Sequence, residues 1–238
     1  MAVLISMQKI FLNGDFIDKD SAKISIFDRG FIFGDGIYEV VPVINGAMVE
    51  KQGFWDRFKR SLSEIDLTLP YSKDKFENIL NELIKINSLN EGGIYIQITR
   101  GIAQRDFSFV SGITPTVMAF AFSDRVLEHP GAKSGITIIS TPDTRWKRRD
   151  IKSISLLGQC YAKNQATIAG ADECFMVEDG YVTEAGSSSA FIIKDGVLIT
   201  KPLSNEILPG IRRQRLLNLA KEIGLKIEER KFSMDEVY

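Results

Sequence analysis

The sequence predicts an α+β fold in two domains, and two observations carry that reading. Segments with the two-residue period of strands are joined by Asn-Gly and Asp-Gly turns into hairpins, while helical patterns stand in separate blocks without strict strand-helix alternation. The polar run from Ser123 to Lys133, with Pro130-Gly131 inside it, divides the chain into domains at 7–123 and 134–238 joined by a linker at 124–133.

In the first half, Gln8 to Leu12 reads as a strand, and residues 1–6 ahead of Met7 read as an alternative start or a short extension. Strand patterns continue to residue 50, broken at Asn13-Gly14 and at Asn45-Gly46. Phe33-Gly34-Asp35-Gly36 reads as a glycine-kinked turn before a strand from Tyr38 to Val43. Two helices follow, Phe54 to Leu67 and one capped by Ser72 whose Phe76, Ile79, Leu80, Leu83 and Ile84 form one apolar stripe. Ile94 to Thr99 and Thr116 to Phe122 return to strand periodicity.

The second half opens with a strand at Ile136 to Ser140, the charged segment Arg145 to Lys152, and a helix from about Leu156 to Ala169. Glu173 to Thr183 and Ala190 to Thr200 each read as strand, Asp-Gly turn, strand. A helix from about Ile211 to Ile223 and a strand near Lys226 to Glu229 follow.

Composition excludes several functions. Thirty Lys and Arg against 31 Asp and Glu give a net charge of -1, which leaves no basic surface to neutralise nucleic-acid phosphates. Cys160, Cys174 and His129 supply neither a disulfide framework nor four zinc ligands, so no metal is expected, and the count fits a reducing cytoplasm. His129, in Leu-Glu-His-Pro-Gly, reads as an exposed turn residue, so acid-base chemistry must run on Lys, Tyr, Glu or a cofactor. No apolar run reaches the ~18 residues of a membrane span, and Met1 to Met7 lacks the features of a secretion signal.

Four segments are chemically suggestive, and each has a plainer reading. Gly34-Asp35-Gly36 fails as a dinucleotide fingerprint because Glu39 stands where the third glycine belongs. Pro209-Gly210 ahead of a helix offers free N–H groups to an anion, although most such helix starts bind nothing. Glu184 followed by Ala-Gly-Ser187-Ser188-Ser189 suits close approach to a planar ligand or, equally, a solvated bend. Lys152 beside Arg148, Arg149 and Asp150 looks solvated, yet Ile154, Leu156 and Leu157 take the chain toward a core, where a buried lysine can form Schiff bases.

Six segments in order resemble one family. Asp28-Arg-Gly-Phe-Ile-Phe-Gly-Asp-Gly-Ile-Tyr-Glu-Val-Val41, Trp55-Asp-Arg57-Phe58, Thr99-Arg-Gly101 with Arg105, Asp150-Ile-Lys152-Ser-Ile-Ser-Leu-Leu-Gly158, Thr183-Glu184 and Ile207-Leu-Pro-Gly-Ile211 resemble the fold-type IV pyridoxal phosphate enzymes. That family holds D-amino acid and branched-chain aminotransferases and aminodeoxychorismate lyase, and the likeness is greatest to the D-amino acid branch.

The resemblance implies a two-domain fold with pyridoxal 5'-phosphate in Schiff-base linkage to Lys152, whose freed amine then moves the substrate proton. It implies Glu184 against the pyridine nitrogen, Arg57 with the Ile211 and Arg212 N–H groups on the phosphate, Leu208 on the ring face, and Tyr38, Ser187 and Ser188 bordering the cofactor. Glu173 is expected to hold Arg145. Substrate contacts fall to Tyr38, Val40, Arg105 and Phe107, the last standing where the D-amino acid branch has His. Position 212 also departs, being Arg where many relatives have Thr, and Trp55 replaces the usual neighbour ahead of Asp56-Arg57.

Implied with these are a homodimer in which the Arg105 loop reaches the partner's site, and ping-pong transamination between a D-amino acid such as D-alanine and a 2-oxo acid. The alternatives are a branched-chain aminotransferase, an (R)-amine transaminase, and a non-catalytic interaction module on the same fold. The resemblance also implies that Met234 to Tyr238 begins a strand and that closing elements follow it in relatives, so the second domain is expected to be incomplete, with an unpaired sheet edge.

Overall fold

The computed structural model describes residues 9–128 and 130–238. The readings of the first eight residues and of His129 lie outside the described residues. Contacts divide the chain into two units, one of residues 1–129 with 152–155 and one of 130–151 with 156–238.

The first unit is built on a six-stranded antiparallel sheet. Its elements are β1 (Lys9–Leu12), β2 (Asp15–Asp18), α1 (Arg29–Phe33), β3 (Gly36–Ile44), β4 (Ala47–Met48), α2 (Lys51–Ser63), α3 (Lys73–Ile86), β5 (Glu91–Thr99) and β6 (Thr116–Ser123). The strand order is β2-β1-β6-β5-β3-β4. The expected hairpins form where Asn13 and Asn45 adopt positive φ, which Asn tolerates better than most residues.

Strand periodicity puts Ile37, Val41, Val43, Ile94, Ile96, Ile98, Val117 and Ala119 on one buried face. Phe54, Phe58, Phe76, Leu80 and Leu83 of α2 and α3 are buried with them. The Ser72 hydroxyl caps α3 by accepting from the Lys75 N–H at 3.3 Å, as the sequence predicts. The opposite face carries Tyr38, Val40, Tyr95, Gln97 and Phe120, with Tyr38 stacked on Tyr95 at 5.5 Å and Tyr95 on Phe120 at 4.9 Å.

The glycine-kinked turn is preceded by a helix that strand periodicity conceals. Asp28, 1 % exposed, caps α1 by accepting from the Gly30 N–H at 2.8 Å and also accepts from the Thr116 hydroxyl at 2.6 Å. Gly34 closes the helix in the left-handed region at φ 70°. A Cβ on Gly36 would sit 2.4 Å from the Ile98 carbonyl oxygen, so only glycine lets β3 start against β5 here.

The second unit contains α4 (Gly131–Ser134), β7 (Ile138–Pro142), α5 (Leu157–Ile168), β8 (Glu173–Glu178), β9 (Tyr181–Ala185), β10 (Ile192–Lys194), β11 (Val197–Thr200), α6 (Ile211–Glu222), β12 (Lys226–Glu229) and α7 (Met234–Val237). Two three-stranded sheets form, in the orders β7-β8-β9 and β10-β11-β12. Both contain a parallel pair, β7 with β8 across α5 and β11 with β12 across α6, so crossover units are present within the α+β arrangement. Phe175, Val182, Ala190, Ile199 and Phe232 form a shared core cluster.

Two expectations are corrected. Met234 onward turns into α7, not a strand, because the Glu236 carboxylate accepts from the Ser233 N–H at 3.1 Å and closes a capping box. The sequence assigns the segment carrying Lys152 to the second domain, but residues 152–155 pack within the first. The Tyr38 N–H donates to the Lys152 carbonyl at 2.9 Å and the Ile154 N–H to the Gly36 carbonyl at 3.2 Å, so this segment continues the free edge of β3.

Gly36→Ala is therefore expected to lower the stability of the first unit by about 1–3 kcal/mol through overpacking. A urea midpoint equal to that of the wild type would contradict the close β3–β5 approach.

Candidate functional site

Lys152 is held by its backbone. Besides its carbonyl's bond to the Tyr38 N–H, its own N–H donates to the Ser61 hydroxyl of α2 at 3.3 Å, and the side chain is half-buried. Its Nζ lies 4.2 Å from the centre of the Tyr38 ring, close enough for a cation–π contact while the amine is protonated. The structure thus brings together two residues that the sequence singles out separately. Val40 lies on the Tyr38 side of β3, one alternation further on.

Arg57 projects from α2 to the other face of β3. Its Nε and Nη2 donate to the two oxygens of Glu39 at 2.8 and 2.7 Å, a bidentate pair in which Glu39 is fully buried. This fixes the guanidinium plane and assigns Glu39 a role that sequence reading missed. The signal was available, since a carboxylate at a buried-face position of a strand requires a partner.

Arg105 lies on the exposed segment after Gly101. Its guanidinium carbon is 5.2 Å from the Phe107 ring centre and 6.0 Å from that of Phe33, and the two rings are 5.4 Å apart. Phe107 therefore offers Arg105 a π face, where an imidazole would offer a hydrogen bond. A surface pocket of about 560 Å³ in this unit, lined by Trp55, Phe58, Leu62, Leu67 and Tyr71 among others, contains none of these residues.

In the second unit Glu184, on β9, is 4 % exposed. Its Oε2 accepts from Arg145 Nη1 at 2.6 Å and its Oε1 from the Leu208 N–H at 3.2 Å, so Glu184 and Leu208 meet. Arg145 is shared with Asp143, Nε to Oδ1 at 3.0 Å and Nη2 to Oδ2 at 2.8 Å, and the Thr183 hydroxyl donates to Asp143 at 2.6 Å. Contrary to expectation, Glu173 does not hold Arg145. It pairs with Lys163 at 3.2 Å, and Asp143, two residues before Arg145, takes its place because a turn bond from the Arg145 N–H brings the two together. The charged run is not uniformly solvated either, since Arg149 and Asp150 are 4 % and 6 % exposed.

Ser187 and Ser188 are exposed, and the Ser188 carbonyl accepts from the Ala185 N–H at 2.8 Å, which closes the bend. Gly210 precedes α6 with no side-chain cap, so the first-turn N–H groups at Ile211 and Arg212 are directed out of the helix end. A Cβ at Gly210 would lie 2.8 Å from the Ser189 hydroxyl oxygen. The Arg212 side chain is exposed, whereas Arg213 is buried against the Lys201 carbonyl and Glu229.

Burial pushes the Glu184 carboxyl up from the ordinary carboxylate range, with Arg145 pulling against it. At Asp143 burial also pushes upward, but hydrogen bonds and charge from Arg145, Thr183 and Arg149 outweigh it and the net shift is downward. A depressed folded-state value means that the stability Asp143 contributes is present above its unfolded value, about pH 4, and is lost as the pH falls through the folded value. The stability gap between wild type and Asp143→Asn is expected to be widest above about pH 4 and to close below it. Urea midpoints that differ by the same amount at every pH would contradict this.

Comparison with known proteins identifies the family. The sequence pattern of the amino-transferase class IV family matches residues 36–238. A D-alanine aminotransferase of Staphylococcus haemolyticus is 41% identical over 231 residues, which is 96% of this chain and 81% of that protein. A D-alanine aminotransferase of Bacillus licheniformis is 37% identical over 229 residues, 96% and 81% of the two chains. In fold, a T.th. branched-chain amino acid aminotransferase, solved with pyridoxamine 5'-phosphate, superposes with a TM-score of 0.86 at 22% identity, covering 97% of this chain and 79% of that one. A primary amine, a buried carboxylate paired with arginine, a fixed guanidinium and an uncapped helix start are the donor types that a pyridoxal phosphate requires. The chain belongs to the amino-transferase class IV family, the fold-type IV aminotransferases.

Proposed function

We propose that this aminotransferase exchanges nitrogen between a D-amino acid, such as D-alanine, and a 2-oxo acid by a ping-pong mechanism on pyridoxal 5'-phosphate. The observation that carries the reading is the 41% identity, over 96% of the chain, to an enzyme named for D-alanine. When bound, the cofactor supplies an aldehyde for the amine and a ring that accepts electrons from the substrate Cα.

The chain's own residues divide the remaining work. Lys152 would hold the cofactor through its amine, and that amine, when free, would move the proton at the substrate Cα. The Tyr38 ring, 4.2 Å from Nζ, bounds one side of the space in which the amine sits. Glu184, already balanced by Arg145, takes the ring nitrogen and keeps it protonated. Arg57, oriented by Glu39, and the N–H groups of Ile211 and Arg212 take the phosphate. Leu208 would pack on the ring face, with Ser187 and Ser188 at its border. Arg105 takes the substrate carboxylate, beside Phe107, Tyr38 and Val40.

The protein works as a homodimer in which the Arg105 segment serves the partner's site. The apolar residues exposed on the first unit, Ile26, Phe27, Phe31 and Phe107 among them, support this reading. Its two cysteines are free, which supports a cytoplasmic setting. Among the described residues no helix is long and apolar enough to cross a membrane.

With pyridoxal phosphate and 2-oxoglutarate, D-alanine is expected to be used faster than L-leucine, and a higher rate with L-leucine would contradict the D-amino acid reading. Lys152→Ala is expected to lower kcat by about 10²–10⁴-fold, the range for a lost general acid-base group, with Ala at 152 still bound to the same backbone partners. Phe107→His, which restores a donor beside Arg105, is expected to lower the KM for D-alanine about ten-fold, the value of a hydrogen bond to a charged group. An unchanged KM would show that the carboxylate does not reach this position.

A further inference from the structure

Asp35, between the two glycines ahead of β3, is the centre of a buried charge cluster. Its Oδ2 accepts from Arg29 Nε at 2.7 Å and from Arg100 Nε at 2.8 Å, and its Oδ1 accepts from Arg100 Nη2 at 3.0 Å. None of the three side chains is more than 6% exposed. One carboxylate with two guanidiniums leaves an excess positive charge, and main-chain carbonyls accept three further bonds from them. Arg100 donates to the Asp66 carbonyl at 3.0 Å and the Ile65 carbonyl at 2.6 Å, and Arg29 Nη1 donates to the Asp106 carbonyl at 2.5 Å.

Both arginines grip the segment that bears Arg105. Arg29 holds the carbonyl of the next residue, Asp106, and lies 4.8 Å from the ring of Phe33, which itself contacts Phe107. The Arg100 guanidinium lies 3.8 Å from the centre of the Phe109 ring. Between these anchors the segment is largely exposed within its own chain, so little apolar burial by that chain fixes it. Burying two guanidiniums carries a large desolvation cost that apolar packing would avoid. What they supply instead is direction, because each planar fork donates to its partners in one plane only.

We propose that Asp35 is the positioning residue for Arg105: by holding Arg29 and Arg100 in one plane each, it sets where the 102–110 segment presents the Arg105 guanidinium to a substrate carboxylate. The inference rests on the reading of Arg105 as the carboxylate clamp, and it adds a determinant of substrate affinity that lies outside the group touching cofactor or substrate.

The test pairs kinetics with limited trypsin cleavage after Arg105, using cleavage after Lys194 in the β10–β11 hairpin of the second unit as an internal control. Asp35→Asn keeps the shape and removes the charge. In the holoenzyme it is expected to speed cleavage after Arg105 by about ten-fold with no change at Lys194, since opening of a segment scales with the free energy that held it. It is expected to raise the KM for D-alanine and for the 2-oxo acid about ten-fold, while kcat and the visible absorbance of the bound cofactor stay within about two-fold. Asp35→Glu, which returns the charge, is expected to recover part of the protection. Where Asp35→Asn does not fold, Phe109→Leu removes only the ring over Arg100 and is expected to shift cleavage and KM in the same direction. A folded variant that is cleaved after Arg105 at the wild-type rate, or whose kcat and KM change without it, overturns the proposal. A wild type inactive with D-amino acids overturns the substrate reading instead, and the cleavage arm still decides whether Asp35 sets the segment.

Discussion

Two backbone hydrogen bonds, Tyr38 N–H to the Lys152 carbonyl and Ile154 N–H to the Gly36 carbonyl, are the constraint on which the rest depends. They make the stretch from Lys152 to Ser155 an added edge on β3 and so place the Lys152 amine against a rigid sheet. The same strand supplies Tyr38 and Val40 on one face and Glu39 on the other. Glu39 then fixes Arg57, and Gly36 lets the strand approach β5 closely enough to begin where it does. A single nine-residue strand therefore orders most of the groups that the first unit contributes.

Arginine held by buried carboxylate is the device used repeatedly. Glu39 holds Arg57, Asp143 and Glu184 share Arg145, and Asp35 holds Arg29 and Arg100. Breaking such a pair costs roughly 3–5 kcal/mol because an uncompensated charge is left behind, while the pair as a whole adds little net stability. The pairs are better understood as orienting devices than as contributors to stability. In a chain with one histidine, the proposed function leaves the chemistry to an amine, carboxylates and guanidiniums, and each of these needs its direction fixed by a neighbour.

Local signals were legible wherever local chemistry decides the outcome. The Asn-Gly and Asp-Gly hairpins, the Ser72 cap and the apolar stripe of α3 follow from turn stereochemistry and helical period. The order of six weak motifs pointed to the family. What stayed hidden depends on contacts between distant segments. No local pattern announces that residues 152–155 pair with β3, and α1 was masked because Phe31 and Phe33 also fit a two-residue period. The crossovers at α5 and α6 were obscured by the hairpins around them. The resemblance pointed only to Glu173 as the partner of Arg145, and the turn at Asp143 brings Asp143 there instead.

The most direct measurement is peptide mapping of the protein loaded with pyridoxal phosphate and reduced with borohydride. A phosphopyridoxyl group on the peptide containing Lys152, and lost in Lys152→Arg, is the result expected of an amine held on β3 beside Tyr38. Labelling that falls on other lysines, or a protein that takes up no cofactor, would contradict it.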